Sequence, residues 1–307
     1  RQSIMIQTVL GPIRPEELGV TMCHEHLAVN LSTVRNDPDS VFTDSPLIRD
    51  EVLKAKALGA QAFIEVSCND MGRDARALQE LSKATGVHIV CATGFYLDVY
   101  HPDWVRNGSI EEIQAQFVHD LTEGIDDTGI KAGVIGEVAG EADRLTESET
   151  KVLSAAARAG AQCGCAVTTH CQMGKMGLEQ SALLQKNGQD PAKIVLGHLD
   201  LANDMEYYRA VLKTGVNIAF DTCGKIAYLA DEIRADNLCR LLDEGWGDHI
   251  MLSNDISRKS YLTANGKFGY TAVLGRVVPM LKERGVSEAD LHKLLVANPA
   301  RIFNIEK

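Results

Sequence analysis

His24-Glu25-His26 ends an apolar approach, Leu18-Gly19-Val20-Thr21-Met22-Cys23, that has the composition of a buried strand. Side chains alternate across a strand, so the two imidazoles face one way and Glu25 the other. Two imidazoles on one face can grip a single divalent ion. Four more polar residues stand in or just after apolar runs. Glu137 lies within Val134-Ile135-Gly136-Glu137-Val138, His170 closes Val167-Thr168-Thr169-His170, His198 closes Ile194-Val195-Leu196-Gly197-His198, and Asp255 follows Met251-Leu252-Ser253-Asn254. Satisfying each separately among apolar neighbours would carry a desolvation cost every time. Together, four histidines and two carboxylates supply the ligands for two divalent ions, zinc first among those expected, with manganese, cobalt and iron also suited to different degrees.

The chemistry divides the ligands. His24, His26 and Asp255 hold the more buried ion, His170 and His198 the more exposed one, and Glu137 bridges them with one oxygen to each. Two ions sharing a water lower its pKa towards neutrality and leave a hydroxide nucleophile. Asp255 orients that hydroxide and passes its proton to the leaving group.

These residues need a scaffold that gathers distant strand ends. Strand-like runs occur at Val20–Cys23, Ala62–Val66, His88–Ala92, Gly133–Val138, Ala166–Thr169, Ile194–Leu196, Val216–Phe220 and Ile250–Leu252. Helical spacing fills the gaps at Leu47–Leu58, Arg73–Thr85, Ile110–Gly124, Glu147–Gln162, Leu178–Asn187, Met205–Thr214, Ile233–Asp243 and Tyr270–Glu283, with Glu288–Val296 adding a final turn or two. Thr146 with Glu149, and Ser109 with Glu112, have capping-box spacing. Gly59, Gly86, Gly215 and Gly285 stand where helices end in a left-handed residue. Eight apolar strands alternating with helices, without a linker or composition break, predict an α/β fold, a (β/α)8 TIM barrel, as one domain over 1–307. Barrel sites form at the C-terminal strand ends, where all six ligand candidates fall. Pro38–Pro46 and Asn254–Gly269 are the loops expected after the first and last strands.

A formal net charge of −11 over 307 residues argues against electrostatically driven binding to nucleic acid or an anionic membrane. No apolar run reaches the roughly 18 residues of a membrane span, and the first residues carry no secretory pattern. Arg1 at the head of the chain reads as a trimmed start. Eight cysteines scattered through strand-like segments predict buried reduced thiols and a cytoplasmic protein. Cys163-Gly-Cys165 has no second pair at zinc spacing.

His24-Glu25-His26, a fourth-strand bridging anion, His170, His198 and Ser253-Asn254-Asp255 resemble, in kind and order, the phosphotriesterase family of the amidohydrolase superfamily. Matching segments run from about Leu10 to Asn298. The resemblance implies a (β/α)8 barrel with a binuclear, usually zinc, centre. The family's usual bridge is a carboxylated lysine, whereas Glu137 stands here, as in the phosphotriesterase homology proteins. Glu137 supplies the same single negative charge, so assembly needs no carbon dioxide.

Loops after the seventh and eighth strands carry Lys225, Arg258 and Tyr261, able together to cradle a phosphate or carboxylate. The arrangement is similar to that of family members hydrolysing phosphorylated sugar lactones; the alternative is a solvated charged loop. Tyr96, after the third strand, is placed by the resemblance beside the bridging hydroxide or the substrate carbonyl oxygen, and otherwise serves as a core or rim aromatic. Met173 and Met176 are packing residues or part of an apolar pocket wall.

The expected function is metal-dependent hydrolysis of a small carboxylic ester or lactone, including one bearing an anionic group. Phosphoester or phosphotriester hydrolysis is the alternative within enzymes. From another class, the alternative is a non-catalytic metal-dependent anion-binding protein. Oligomeric state stays open, with a homodimer favoured by base rates and by the resemblance.

Overall fold

The computed structural model describes residues 4–306, so Arg1 lies outside the described residues. Eight parallel strands follow one another around the molecule: β1 (Thr21–Glu25), β2 (Ala62–Glu65), β3 (His88–Val90, resuming at Ala92–Thr93), β4 (Val134–Gly140), β5 (Val167–Cys171), β6 (Ile194–Gly197), β7 (Asn217–Phe220) and β8 (Ile250–Leu252). Each pairs in parallel with the next, and the two halves of β3 join β2 to β4. The fold is the (β/α)8 barrel the sequence predicts. All eight strand runs are recovered, with no end shifted by more than two residues. The break at Cys91 within β3 is the one interruption the apolar pattern does not show.

Between β8 and β1 a buried carboxylate closes the barrel. Glu25 Oε2 accepts from the backbone N of Asn254 at 2.7 Å and of Asp255 at 3.2 Å, while Oε1 accepts from Ile256 N at 3.1 Å. Ser253 Oγ also donates to Glu25 and accepts from His24 N at 3.0 Å. The middle residue of the triplet therefore ties the first strand to the loop after the last.

The interior is filled by inward-facing residues such as Ile64, Val90, Val134, Val195, Ala219 and Met251, while a second apolar cluster lies between strands and helices. Ile6 and Phe303 belong to the inner cluster. Ile6 lies in the strand Ile4–Thr8, which pairs antiparallel with both Gly11–Ile13 and Ile305–Glu306, and Phe303 just precedes the latter.

Thr146 and Glu149 form the full capping box. Ser109 makes only half of one, accepting from Glu112 N at 3.1 Å. The four helix-ending glycines all have positive φ. The largest departures from the helical pattern come late. Tyr270–Glu283 is a tight turn, then a π-helical stretch Val273–Val277, then α-helix Val278–Glu283. The last helix likewise widens at Lys293–Ala297 and runs on to Ile302. Pro279 and Pro299 explain both: each lacks an N–H and its ring crowds the carbonyl four residues back, so the preceding turn widens. Among the described residues no helix is long and apolar enough to cross a membrane. Seven cysteines are buried and Cys239 half-buried, matching the expected use of thiols as core groups.

Candidate metal centre

The six predicted ligands meet at the C-terminal end of the barrel, all buried. His24 and His26 project from the end of β1 with ring centroids 5.9 Å apart. Glu137 stands on β4 between all four imidazoles. Its Oε1 lies 3.1 Å from His170 Nδ1, 3.3 Å from His24 Nε2 and 3.5 Å from His198 Nε2, while Oε2 lies 2.9 Å from His26 Nε2. Asp255 Oδ1 completes the set at 3.2 Å from His26 Nε2 and 3.5 Å from His24 Nε2.

Two glycines let these side chains converge. A Cβ on Gly136, before Glu137, would sit 1.9 Å from Thr168 O; one on Gly197, before His198, would sit 2.1 Å from Thr169 O. Both places are where β4 and β6 press against the carbonyls of β5, so any side chain would force the strands apart. His198 and Asp255 themselves adopt left-handed backbone at φ +66 and +53. For non-glycine residues this costs about 1–2 kcal/mol each, and here it turns both side chains inward at the strand ends.

A layer of polar residues behind the ligands fixes their orientation. His198 Nδ1 donates to Asp221 Oδ1 at 2.7 Å, and His198 N donates to the same carboxylate. His26 Nδ1 lies 2.8 Å from Ser67 Oγ, which is hydrogen-bonded to Glu65 at 3.1 Å. His170 turns Nε2 to Gln172 Oε1 at 2.5 Å, leaving Nδ1 for the centre. Asp221, Glu65, Ser67 and Gln172 escaped the sequence reading, as did the clasp role of Glu25. Asp221 carries the clearest signal, a carboxylate directly after β7 at the level of the other strand-end ligands.

Charge and hydrogen bonding both fit cations. Neither ring nitrogen of the fully buried His24 has a hydrogen-bond partner. His198 Nε2 and His170 Nδ1 face each other at 2.9 Å, so a proton or a cation must lie between them. Burial alone would raise the Glu137 and Asp255 carboxyls, but the charges facing them, His24 for the first and Lys225 for the second, hold both well below the ordinary range. Conversely, burial depresses the His26 imidazole, but hydrogen bonds to Asp255 and Glu137 push it up to about 10. The atoms that could hold metal group as His24, His26, Glu137 and Asp255 on one side and Glu137, His170 and His198 on the other. Glu137 is common to both.

Above the centre opens a cavity of about 290 Å³ lined by Tyr96, Lys225, Arg258, Tyr261 and Met173, among others. Tyr96 OH lies 3.4 Å from His170 Nδ1, and burial holds the phenol protonated. Lys225 Nζ donates to Asp255 Oδ2 at 2.7 Å and sits over the Tyr261 ring at 4.9 Å. Arg258 is ion-paired to Asp37, on the loop after β1. Lys225 and Arg258 thus both line the cavity with a carboxylate partner already in place. Met176 is not among the lining residues.

The order and spacing of these ligands have close counterparts. The Phosphotriesterase family model matches residues 4–303. The chain belongs to the phosphotriesterase family. It is 37% identical over 285 residues to the phosphotriesterase homology protein of Escherichia coli (strain K12), covering 93% of this chain and 98% of that one. The crystal structure of that protein, complexed with phosphate in its active site, superposes with a TM-score of 0.91 at 36% identity, over 94% of this chain and 99% of that one. An N-acetyltaurine hydrolase from Tetraodon nigroviridis is 33% identical, with 96% of each chain covered. A lactonase from Listeria monocytogenes superposes with a TM-score of 0.92 at 28% identity, over 97% of this chain and 98% of that one. This family member is an enzyme of the hydrolase class, with a cluster of His, Glu and Asp fit to hold metal.

Proposed function

We propose that this hydrolase acts at the carbonyl carbon of a small ester or lactone, including one with an anionic group, at a centre of two divalent cations. The N-acetyltaurine hydrolase relatives extend the candidates to amides. His24, His26, Glu137 and Asp255 would hold one cation and Glu137, His170 and His198 the other, with zinc suited to so imidazole-rich a set. Bound there, the pair supplies the Lewis acidity that activates water near neutral pH.

The observation that carries the carbonyl reading is Tyr96. A phenol kept protonated by burial, 3.4 Å from His170 Nδ1, is a hydrogen-bond donor at the edge of the centre, suited to a carbonyl oxygen that gains negative charge. Asp255 does the proton work. Lys225 holds its Oδ2 and keeps the carboxyl ionised, which leaves Oδ1 to take the proton of the attacking water and return it to the leaving group. Lys225, Arg258 and Tyr261 form one cavity wall against the rest of the substrate. Buried thiols suit a reducing compartment, and cytoplasmic residence belongs to the same reading.

A phosphoester reading draws support from the phosphate in the active site of the E. coli relative. The full chain, reconstituted separately with zinc, manganese and cobalt, is to be assayed on matched esters, lactones, amides and phosphoesters. Carbonyl substrates are expected to lead in kcat/KM; preference for phosphoesters over every carbonyl substrate defeats the proposal.

A further inference from the structure

Three cationic side chains other than histidine line the cavity: Arg35, Lys225 and Arg258. Two are already matched, Lys225 by Asp255 and Arg258 by Asp37. Arg35 differs. It ends the short helical turn Ser32–Arg35 in the loop after β1, and its Nη1 is buried without a hydrogen-bond partner. Among the described residues no carboxylate forms an ion pair with it. Its electrostatic neighbours are the phenol of Tyr96, the phenol of Tyr100, to which the guanidinium is hydrogen-bonded, and then Asp255.

A buried guanidinium donor with nothing to bond costs about 1–3 kcal/mol, more for a charged group, unless a ligand fills the place. The side chain as a whole is only half-buried and lines the cavity, so the guanidinium can turn this donor to an anion bound there. The loop that carries Arg35 is held down. Asp37 pairs with Arg258, and Asp39 accepts from Ser260 N at 2.9 Å and Ser260 Oγ at 2.6 Å. Arg35 is thereby fixed over the cavity from the loop after β8.

We infer that Arg35 is the anion anchor of the substrate pocket, pairing with a carboxylate or sulfonate carried by the substrate on a short tail from the scissile carbonyl. This rests on the carbonyl-hydrolase reading above. The short tail fits the chain of contacts from anchor to centre: Arg35 is hydrogen-bonded to Tyr100, whose ring lies 5.1 Å from that of Tyr96, and the Tyr96 ring lies 5.0 Å from that of His170. Planar, forked donors match both carboxylate and sulfonate oxygens.

The test has a binding arm and a kinetic arm, both on the zinc-loaded full chain. Titration calorimetry with glutarate and with ethanesulfonate, neither of which can be hydrolysed, is run on the parent, Arg35→Gln and Arg35→Lys. Binding of either anion should weaken at least 10-fold in Arg35→Gln and recover in part in Arg35→Lys, and the tighter ligand identifies the anion. In the kinetic arm, a monoester of glutarate is compared with its neutral methyl diester. The ratio of their kcat/KM values should fall at least 10-fold in Arg35→Gln. Circular dichroism establishes that both variants are folded. Equal anion affinity in folded parent and Arg35→Gln protein overturns the anchor. Absence of ester hydrolysis by the parent, with Arg35-dependent anion binding intact, overturns the carbonyl reading and leaves the anchor standing.

Discussion

His198 Nδ1 donates a 2.7 Å hydrogen bond to Asp221 Oδ1, and the other oxygen of that carboxylate lies 3.4 Å from His24 Nδ1. One buried acid thus hydrogen-bonds one imidazole and places its negative charge beside a second, the two proposed to hold different cations. Holding the Nδ1 proton of His198 fixes its tautomer and presents Nε2 to the centre. Asp221→Ala is expected to weaken metal binding about 10- to 100-fold, the usual cost of removing such a partner. Metal content after dialysis against graded chelator checks this; unchanged retention would remove Asp221 from the design.

Glu137 offers one oxygen to His26 and the other to His170, His24 and His198. Glu137→Ala should lower metal content below two ions per chain, measured by elemental analysis of the reconstituted protein. Glu137→Lys tests replacement by a carboxylated lysine. The longer arm should fit poorly beside β5, and added bicarbonate should restore little activity.

The clasp between Glu25 and the loop after β8 predicts a stability effect separate from catalysis. Glu25 accepts from three backbone N–H groups, from Ser253 Oγ and from Asn254 Nδ2 at 3.1 Å. Hydrogen bonds to a charged group contribute about 1.5–3 kcal/mol each, and the donors left behind would be buried. Glu25→Ala should cost at least about 3 kcal/mol, read as a lower denaturant midpoint in metal-free protein. A loss under about 1 kcal/mol would mean the seam closes without this clasp.

Asp70 predicts a pH dependence. Burial drives its carboxyl up to about 8, against hydrogen bonds from backbone N–H groups including that of Tyr96 at 2.9 Å. Unfolded, the group titrates near 3.8, so between about pH 4 and pH 8 the folded state holds the extra proton. Stability therefore falls as pH rises through that window. Asp70→Asn keeps an acceptor for Tyr96 and removes the ionisation. Its thermal midpoint relative to the parent should rise from pH 5 to pH 8.5; a constant difference would refute the shift.

The sequence determined the eight strands, their helical crossovers and the six ligand candidates, because each lies in a local pattern. Apolar runs ending in His or Asp need no tertiary information to be noticed, and parallel β/α alternation leaves few ways to close a chain. Tertiary structure decided what each polar residue faces. Glu25 sits in the triplet yet serves the barrel seam, because alternation turns it away from His24 and His26. Lys225 and Arg258 look like open cations in sequence, but their partners Asp255 and Asp37 lie 30 and 221 positions away. Arg35, in an unremarkable loop, becomes the unmatched charge only once that loop is folded over the mouth. Pairing between charges depends on distance in space, and a linear pattern carries no record of it.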